Sequence, residues 1–159
     1  MPKSNFERMI QLAEDSFAAR KDPEQLDVDE KVIARLQSLH PSTVSEHNDN
    51  GPVVWVLLIP TTIDLMNKFL KKEITESELF YKTPASIKYE AIYLCSAMVL
   101  PEYRRKGIAK RLTLEAIKNI RKEHAIQTLF VWPFSKEGNL LAEEIAKQSS
   151  LNLLKRQLD

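Results

Sequence analysis

Phe6, Met9, Ile10, Ala13 and Phe17 recur at three- and four-residue steps behind Ser4-Asn5-Phe6-Glu7. That spacing predicts an amphipathic helix opened by a capping box. Asp22-Pro23 restarts the chain, and Val32, Ile33, Leu36 and Leu39 mark a second stripe that ends before His40-Pro41, because the residue before a proline disfavours the helical region. Residues 42–52 are polar and close on the turn Asn50-Gly51-Pro52. The run Val53 to Ile59 is continuous and rich in β-branched residues, which predicts a buried strand stopped by Pro60. Ile63, Met66, Phe69 and Leu70 then predict a helix over 62–72, and Thr75-Glu76-Ser77-Glu78 caps a further short helical turn.

The second half alternates more regularly. Ala91 to Val99 reads as a central strand, apolar on both faces. Ile108 to Glu123 reads as a helix, with Leu112, Ala116, Ile117 and Ile120 inward and Lys110, Arg111, Lys118, Arg121 and Lys122 outward. Thr128 to Trp132 is a strand stopped by Pro133, and Gly138-Asn139 introduces a last helix over 140–148. The class is therefore mixed α/β, and residues 1–159 are read as one domain. A strand, a helix and a second strand at this spacing predict a parallel pair with a right-handed crossover. In such a unit a ligand sits at the carboxyl end of the first strand.

Composition narrows the setting. At 43% hydrophobic and 28% charged residues the chain has the make-up of an ordinary globular protein. A net charge of +1 gives no reason to expect nucleic acid or a membrane surface as partner. No apolar run approaches a membrane span, and the first residues lack the apolar core of a signal peptide. A lone Cys95 favours a reducing, cytoplasmic location.

Candidate chemistry concentrates where the ligand of a strand–helix–strand unit belongs. Arg104-Arg105-Lys106-Gly107-Ile108-Ala109 is a short basic turn between the central strand and its helix. The first N–H groups of a helix lack intrahelical partners, and the macrodipole makes that end attractive to anions. Gly107 lets the backbone approach a ligand closely. The turn is neither a Walker loop, which needs a second glycine and Lys-Ser/Thr, nor a dinucleotide fingerprint, which needs three glycines. It calls for another phosphate-bearing ligand.

With Val99-Leu100-Pro101-Glu102-Tyr103 ahead of it, this turn resembles the acyl-CoA-binding motif of the GNAT superfamily of N-acyltransferases. Arg104, Gly107 and Ala109 occupy the defining positions of Gln/Arg-x-x-Gly-x-Gly/Ala, and the resemblance runs from about Ala91 to Leu151. It implies a mixed central sheet flanked by helices, with acetyl-CoA as cosubstrate and no metal. The backbone of Arg104, Arg105, Lys106, Gly107, Ile108, Ala109 and Lys110 would hold the pyrophosphate. The pantetheine arm would pair with Ala97, Met98 and Val99, where the next strand splays away, and Asn139 would touch the cofactor from the following helix.

Departures from the family pattern are equally specific. Ala146 stands where a Tyr usually protonates the departing thiolate, and Ser150-Leu151 replaces Gly-Phe. A helical insertion precedes the central strand, and the eight residues after Leu151 leave room for one short strand instead of two. A sheet edge left open in this way makes a homodimer one expectation. Where some members carry a catalytic carboxylate this chain has Tyr93, a poor base at about pKa 10. Glu90, three residues earlier, is the candidate base, acting directly or through water. Tyr93 reads either as a polar group at the acyl site or as a core aromatic with a satisfied hydroxyl. Cys95 is read as packing, and His40, His47 and His124 show no metal-ligand spacing. The expected activity is acetyl transfer from acetyl-CoA to a small-molecule or peptide amine. The alternative is a catalytically impaired acyl-CoA-binding module of the same fold.

Overall fold

The computed structural model describes residues 2–20, 26, 28–85 and 87–157, with the side chains of 17–20 left aside. The Phe17 side chain and the Asp22-Pro23 break therefore lie outside the described residues. Two helices, α1 (Asn5–Arg20) and α2 (Glu30–Leu39), lead into strands β1 (Val44–Asn48) and β2 (Pro52–Thr61). Helices α3 (Ile63–Leu70) and α4 (Glu76–Lys82) follow, then β3 (Ala91–Val99), α5 (Ile108–Arg121), β4 (Thr128–Val131), α6 (Lys136–Ser149) and β5 (Asn152–Lys155). The five strands form one mixed sheet in chain order. The first three are antiparallel neighbours, and β3, β4 and β5 run parallel. This is the mixed sheet flanked by helices that the pattern implied, with helices between β2 and β3 and one short strand after α6.

Three elements differ from the sequence reading. Residues 42–52 contain β1, a strand that polar composition concealed. It pairs with β2 along one edge only, so Glu46 and Asn48 point to solvent while Val44 and His47 are half-covered. Pro60 does not stop β2, which runs on to Thr61. β1 reaches only Leu57, so the far half of β2 is an edge on that side, the setting in which a strand tolerates proline. The last helix starts at Lys136, because the Ser135 hydroxyl accepts the Gly138 N–H at 2.9 Å and caps it. Asn139 therefore sits in its first turn.

β2 and the first half of β3 form the centre of the core. Val53, Val54, Leu58, Ile59, Ala91 and Ile92 are at most 1% exposed. Ala116, Ile117 and Ile120 of α5 are buried as the helical stripe requires, whereas Leu112 is only half-buried. From α3, Phe69 meets Tyr93, Phe130 and Trp132 edge-on, with ring centroids 5.0, 5.9 and 6.0 Å apart. Burying each such ring stabilises the fold by about 1.5–3 kcal/mol. The cluster also fixes the height at which β3 and β4 separate.

Candidate functional site

β4 pairs with β3 only from Ala91 to Tyr93. Beyond that register the strands diverge, and residues 94–99 of β3 keep a partner strand on the β2 side alone. At about 3.3 Å per residue the opened edge is roughly 17 Å long. The β2–β3 ladder shifts at the same height, where Leu57 faces Ser96 but Leu58 faces Leu94. Cys95 is the extra residue of that bulge, which re-aims the open half of the strand. Ala97 is exposed, Val99 half-buried and Met98 buried, in keeping with a strand that lost its neighbour.

The opened edge leads into the basic turn. Leu100 is tied to β2 through its N–H to Val53 O at 3.0 Å, and Pro101–Tyr103 makes a single 3-10 turn. Arg105 and Gly107 both take positive φ, 62° and 74°. Gly107 is the N-cap of α5, and no side chain caps the helix. The first backbone bond into α5 is Arg111 N–H to Gly107 O. Arg104 and Arg105 form a backbone turn that closes on the Lys106 N–H, and among the described residues no protein acceptor is seen for the N–H groups of Gly107, Ile108, Ala109 and Lys110. A Cβ placed on Gly107 would meet no protein atom within 4 Å, so the concave side of the turn has room for a ligand. Consecutive unpaired amides at a helix N-terminus make an anion cradle.

Two basic side chains around the turn are committed elsewhere. Arg104 Nε donates to Val99 O at 3.1 Å, and Lys110 Nζ reaches Glu144 at 3.0 Å. The turn therefore offers an anion its backbone together with the exposed Arg105 and Lys106. A clasp from the other end of the chain holds the turn. Glu102 accepts two hydrogen bonds from the Arg8 guanidinium, both 2.7 Å, and Tyr103 donates to Asp49 at 2.5 Å. Asn5 ties α1 to the Asp49 carbonyl at 2.9 Å. The Arg8 hydrogen bonds, helped by the backbone N–H of Glu102, hold that carboxyl down at about 2. The bond to Asp49 pushes the Tyr103 hydroxyl up.

At the apex of the opening lies a buried polar group that sequence reasoning missed. Tyr93, the last β3 residue paired with β4, donates its hydroxyl to Glu76 Oε2 at 2.5 Å. The other oxygen of Glu76 accepts the Leu26 N–H at 2.6 Å. Glu76 and Tyr93 are each 1% exposed. Arg156 is as deeply buried, with its guanidinium 4.5 Å from the Phe69 ring and 4.6 Å from that of Trp132. It donates to Ile74 O at 2.9 Å, two residues before Glu76. The capping pattern around Glu76 hides its side chain, since the cap itself uses Thr75 and Glu78. Arg156 lies in a charged tail with no local signal.

The remaining candidates fall as follows. Glu90 precedes β3, its backbone held by Thr61 O and Gln127 N–H. It lies four residues, roughly 13 Å along the strand, before the opening. Asn139 stands on α6 with its amide on Glu143 at 3.2 Å and its Oδ1 buried without a partner. Ala146 is 4% exposed on the inner face of the same helix, and its methyl offers no proton. The fold does bring His40, Glu123 and His124 together, their ligand-type atoms within 4.8 Å of one another, which spacing in sequence did not reveal. Their hydrogen bonds argue against a metal. His40 Nδ1 accepts the Ser42 N–H and His124 Nδ1 the Tyr89 N–H. Each neutral ring then carries its proton on Nε2, whereas a metal-binding imidazole donates from its far nitrogen. Burial, then the neighbouring His40 and Lys88, lower the His124 pKa and favour that neutral form.

An α/β protein with unaccepted amides at a helix N-terminus beside a splayed strand has a surface that could hold a phosphate-bearing chain along that strand. Residues 73–146, a little under half of the chain, match the family model described as the acetyltransferase (GNAT) family. No curated protein matches the sequence. Among solved structures, the chain is similar to the crystal structure of a possible acetyltransferase from Clostridium difficile 630. The two share 17% identity over 97% of this chain and 90% of that chain, at a TM-score of 0.45. That likeness bears on neither activity nor substrate. No helix among the described residues is long and apolar enough to cross a membrane.

Proposed function

We propose that this protein is an N-acyltransferase that moves an acetyl group from acetyl-CoA to the amine of a small molecule or peptide in the cytoplasm. The observation that carries this reading is the run of N–H groups from Gly107 to Lys110 that have no acceptor among the described residues, at the end of a strand edge that β4 leaves open. The N–H groups and the helix end suit a pyrophosphate. The β3 edge over Ala97, Met98 and Val99 suits an amide-bearing arm laid down like a strand, and Asn139 closes the cleft from α6. The thioester brings the activated acyl group, so the protein's task is to orient it, exclude water and remove the amine's proton. Tyr93, the last β3 residue paired with β4, and Glu90, acting directly or through water, are the candidates for that last step.

Calorimetry with acetyl-CoA, followed by thiol release across a panel of amines, tests the proposal. Micromolar binding with turnover of at least one amine is the expected result. Absence of binding overturns it. A second reading, a binding module with impaired catalysis, is favoured by Ala146 alone. Binding without thiol release from any amine would establish that reading instead. A homodimer across β5, the terminal strand of the sheet, belongs to the same proposal, and sedimentation at assay concentration checks it.

A further inference from the structure

We propose that Tyr93 meets the acceptor amine at the apex of the opening and that Glu76, acting through Tyr93, takes the amine's proton. The inference rests on the acyltransferase reading and adds the group that makes the amine nucleophilic. A carboxylate that is 1% exposed is costly to bury unless its surroundings favour the charge. Here both oxygens accept hydrogen bonds, from the Leu26 N–H and the Tyr93 hydroxyl, and both atoms act as acceptors, as an ionised carboxylate requires. The Arg156 guanidinium lies across the Phe69 ring that also packs on Tyr93, so a fixed positive charge stands in the same buried cluster. One oxygen accepts the Leu26 N–H. The second accepts the hydroxyl of Tyr93, the last β3 residue paired with β4.

The proton path balances without another reactant. The amine nitrogen attacks the thioester carbon and the C–N bond forms. The proton on that nitrogen passes to the Tyr93 oxygen as the Tyr93 proton crosses the 2.5 Å hydrogen bond to Glu76 Oε2. The C–S bond then breaks and its electron pair leaves on sulfur. A thiolate with an ordinary pKa near 8.5 takes its proton from water, and Glu76 returns its proton to solvent after product release.

Three variants decide the matter: Glu76→Gln, Tyr93→Phe and the double variant, each assayed for acetyl-CoA binding and for kcat/KM against pH. Each single variant is expected to lower kcat/KM about 100-fold, with KM for acetyl-CoA within about threefold and the ascending limb of the pH profile lost. The double variant is expected to be no worse than either single one, because the two residues act as a unit. Glu76→Asp should recover part of the rate. If the wild type binds acetyl-CoA and turns over an amine while both single variants stay within about twofold of it, this proposal fails and the acyltransferase reading stands. If the wild type turns over no amine, both fall. Loss of acetyl-CoA binding together with turnover in Glu76→Gln would mark a scaffolding role and overturn the proposal. Tyr93→Phe keeps the ring packing and decides the case should the Gln variant fail to fold.

Discussion

Gly107 separates what the anion turn costs the fold from what it gives a ligand. Its φ of 74° lies in the left-handed region, where any side chain adds about 1–2 kcal/mol of strain. A Cβ there touches no protein atom within 4 Å, so strain is the whole structural penalty for alanine and for a larger residue alike. At 2–4 °C per kcal/mol for a chain of this size, Gly107→Ala and Gly107→Leu should both lower Tm by about 2–8 °C. Their affinities for acetyl-CoA should differ, because the leucine reaches into the space that the N–H groups face. Displacing the pyrophosphate from one charge-assisted N–H bond loses about 1.5–3 kcal/mol, or about 10- to 150-fold in Kd for the leucine variant. Differential scanning fluorimetry gives the first quantity and calorimetry the second. Equal affinities in the wild type and both variants would refute the placement of the phosphate on this turn.

Two further outcomes follow from the elements around the site. The Glu102 carboxyl is held at about 2, below its ordinary 4.5, first by the Arg8 hydrogen bonds. A depressed carboxyl contributes stability that is present above pH 4.5 and lost as pH falls from 4.5 through about 2. Arg8→Met should return the Glu102 midpoint toward 4.5 in a carboxyl NMR titration, and a midpoint still at about 2 would show that Arg8 is not the cause. Thr75→Ala removes the acceptor of the Glu78 N–H at 3.0 Å and one arm of the capping box. The change should destabilise the protein by about 1 kcal/mol, roughly 2–4 °C in Tm. Because α4 begins at Glu76, thiol release should fall while acetyl-CoA affinity holds, and an unchanged rate would disconnect α4 from the chemistry.

The parts of this fold legible in the sequence are those whose local pattern and tertiary setting agree. β3 and α5 were bounded to within two residues because a buried strand and an amphipathic helix each write a full period. β1 was not legible, since Val44-Ser45-Glu46-His47-Asn48 is half polar and its pairing to one neighbour needs little apolar surface. At α6 the glycine misled. Gly138 looks like a helix breaker, yet a Cβ there would stand 3.0 Å from the Ser135 hydroxyl that caps the helix, so glycine leaves room for the cap. The basic turn was legible as the break between β3 and α5 because it is written by consecutive residues, with Gly107 at the left-handed N-cap position. The Tyr93–Glu76 pair was not, because its members sit 17 residues apart on different elements and meet only when α4 folds back over β3.

That distance in sequence bears on how the two departures from the family pattern fit together. Ala146 offers no proton donor on α6, and α4 brings a buried carboxylate to β3. These are unequal chemically. A departing thiolate has an ordinary pKa near 8.5, so water can protonate it after the C–S bond has broken, and a missing acid slows the reaction modestly. An attacking amine becomes strongly acidic as its bond to carbon forms, and its proton must pass to a base before the C–S bond breaks. Losing the donor is therefore tolerable, whereas losing the acceptor of that proton is not. In the proposed mechanism the carboxylate on α4 supplies the function the chemistry cannot do without. On this account the short helices between β2 and β3 belong to the catalytic apparatus, and exchanging them for a plain hairpin should abolish turnover while leaving the anion turn able to bind.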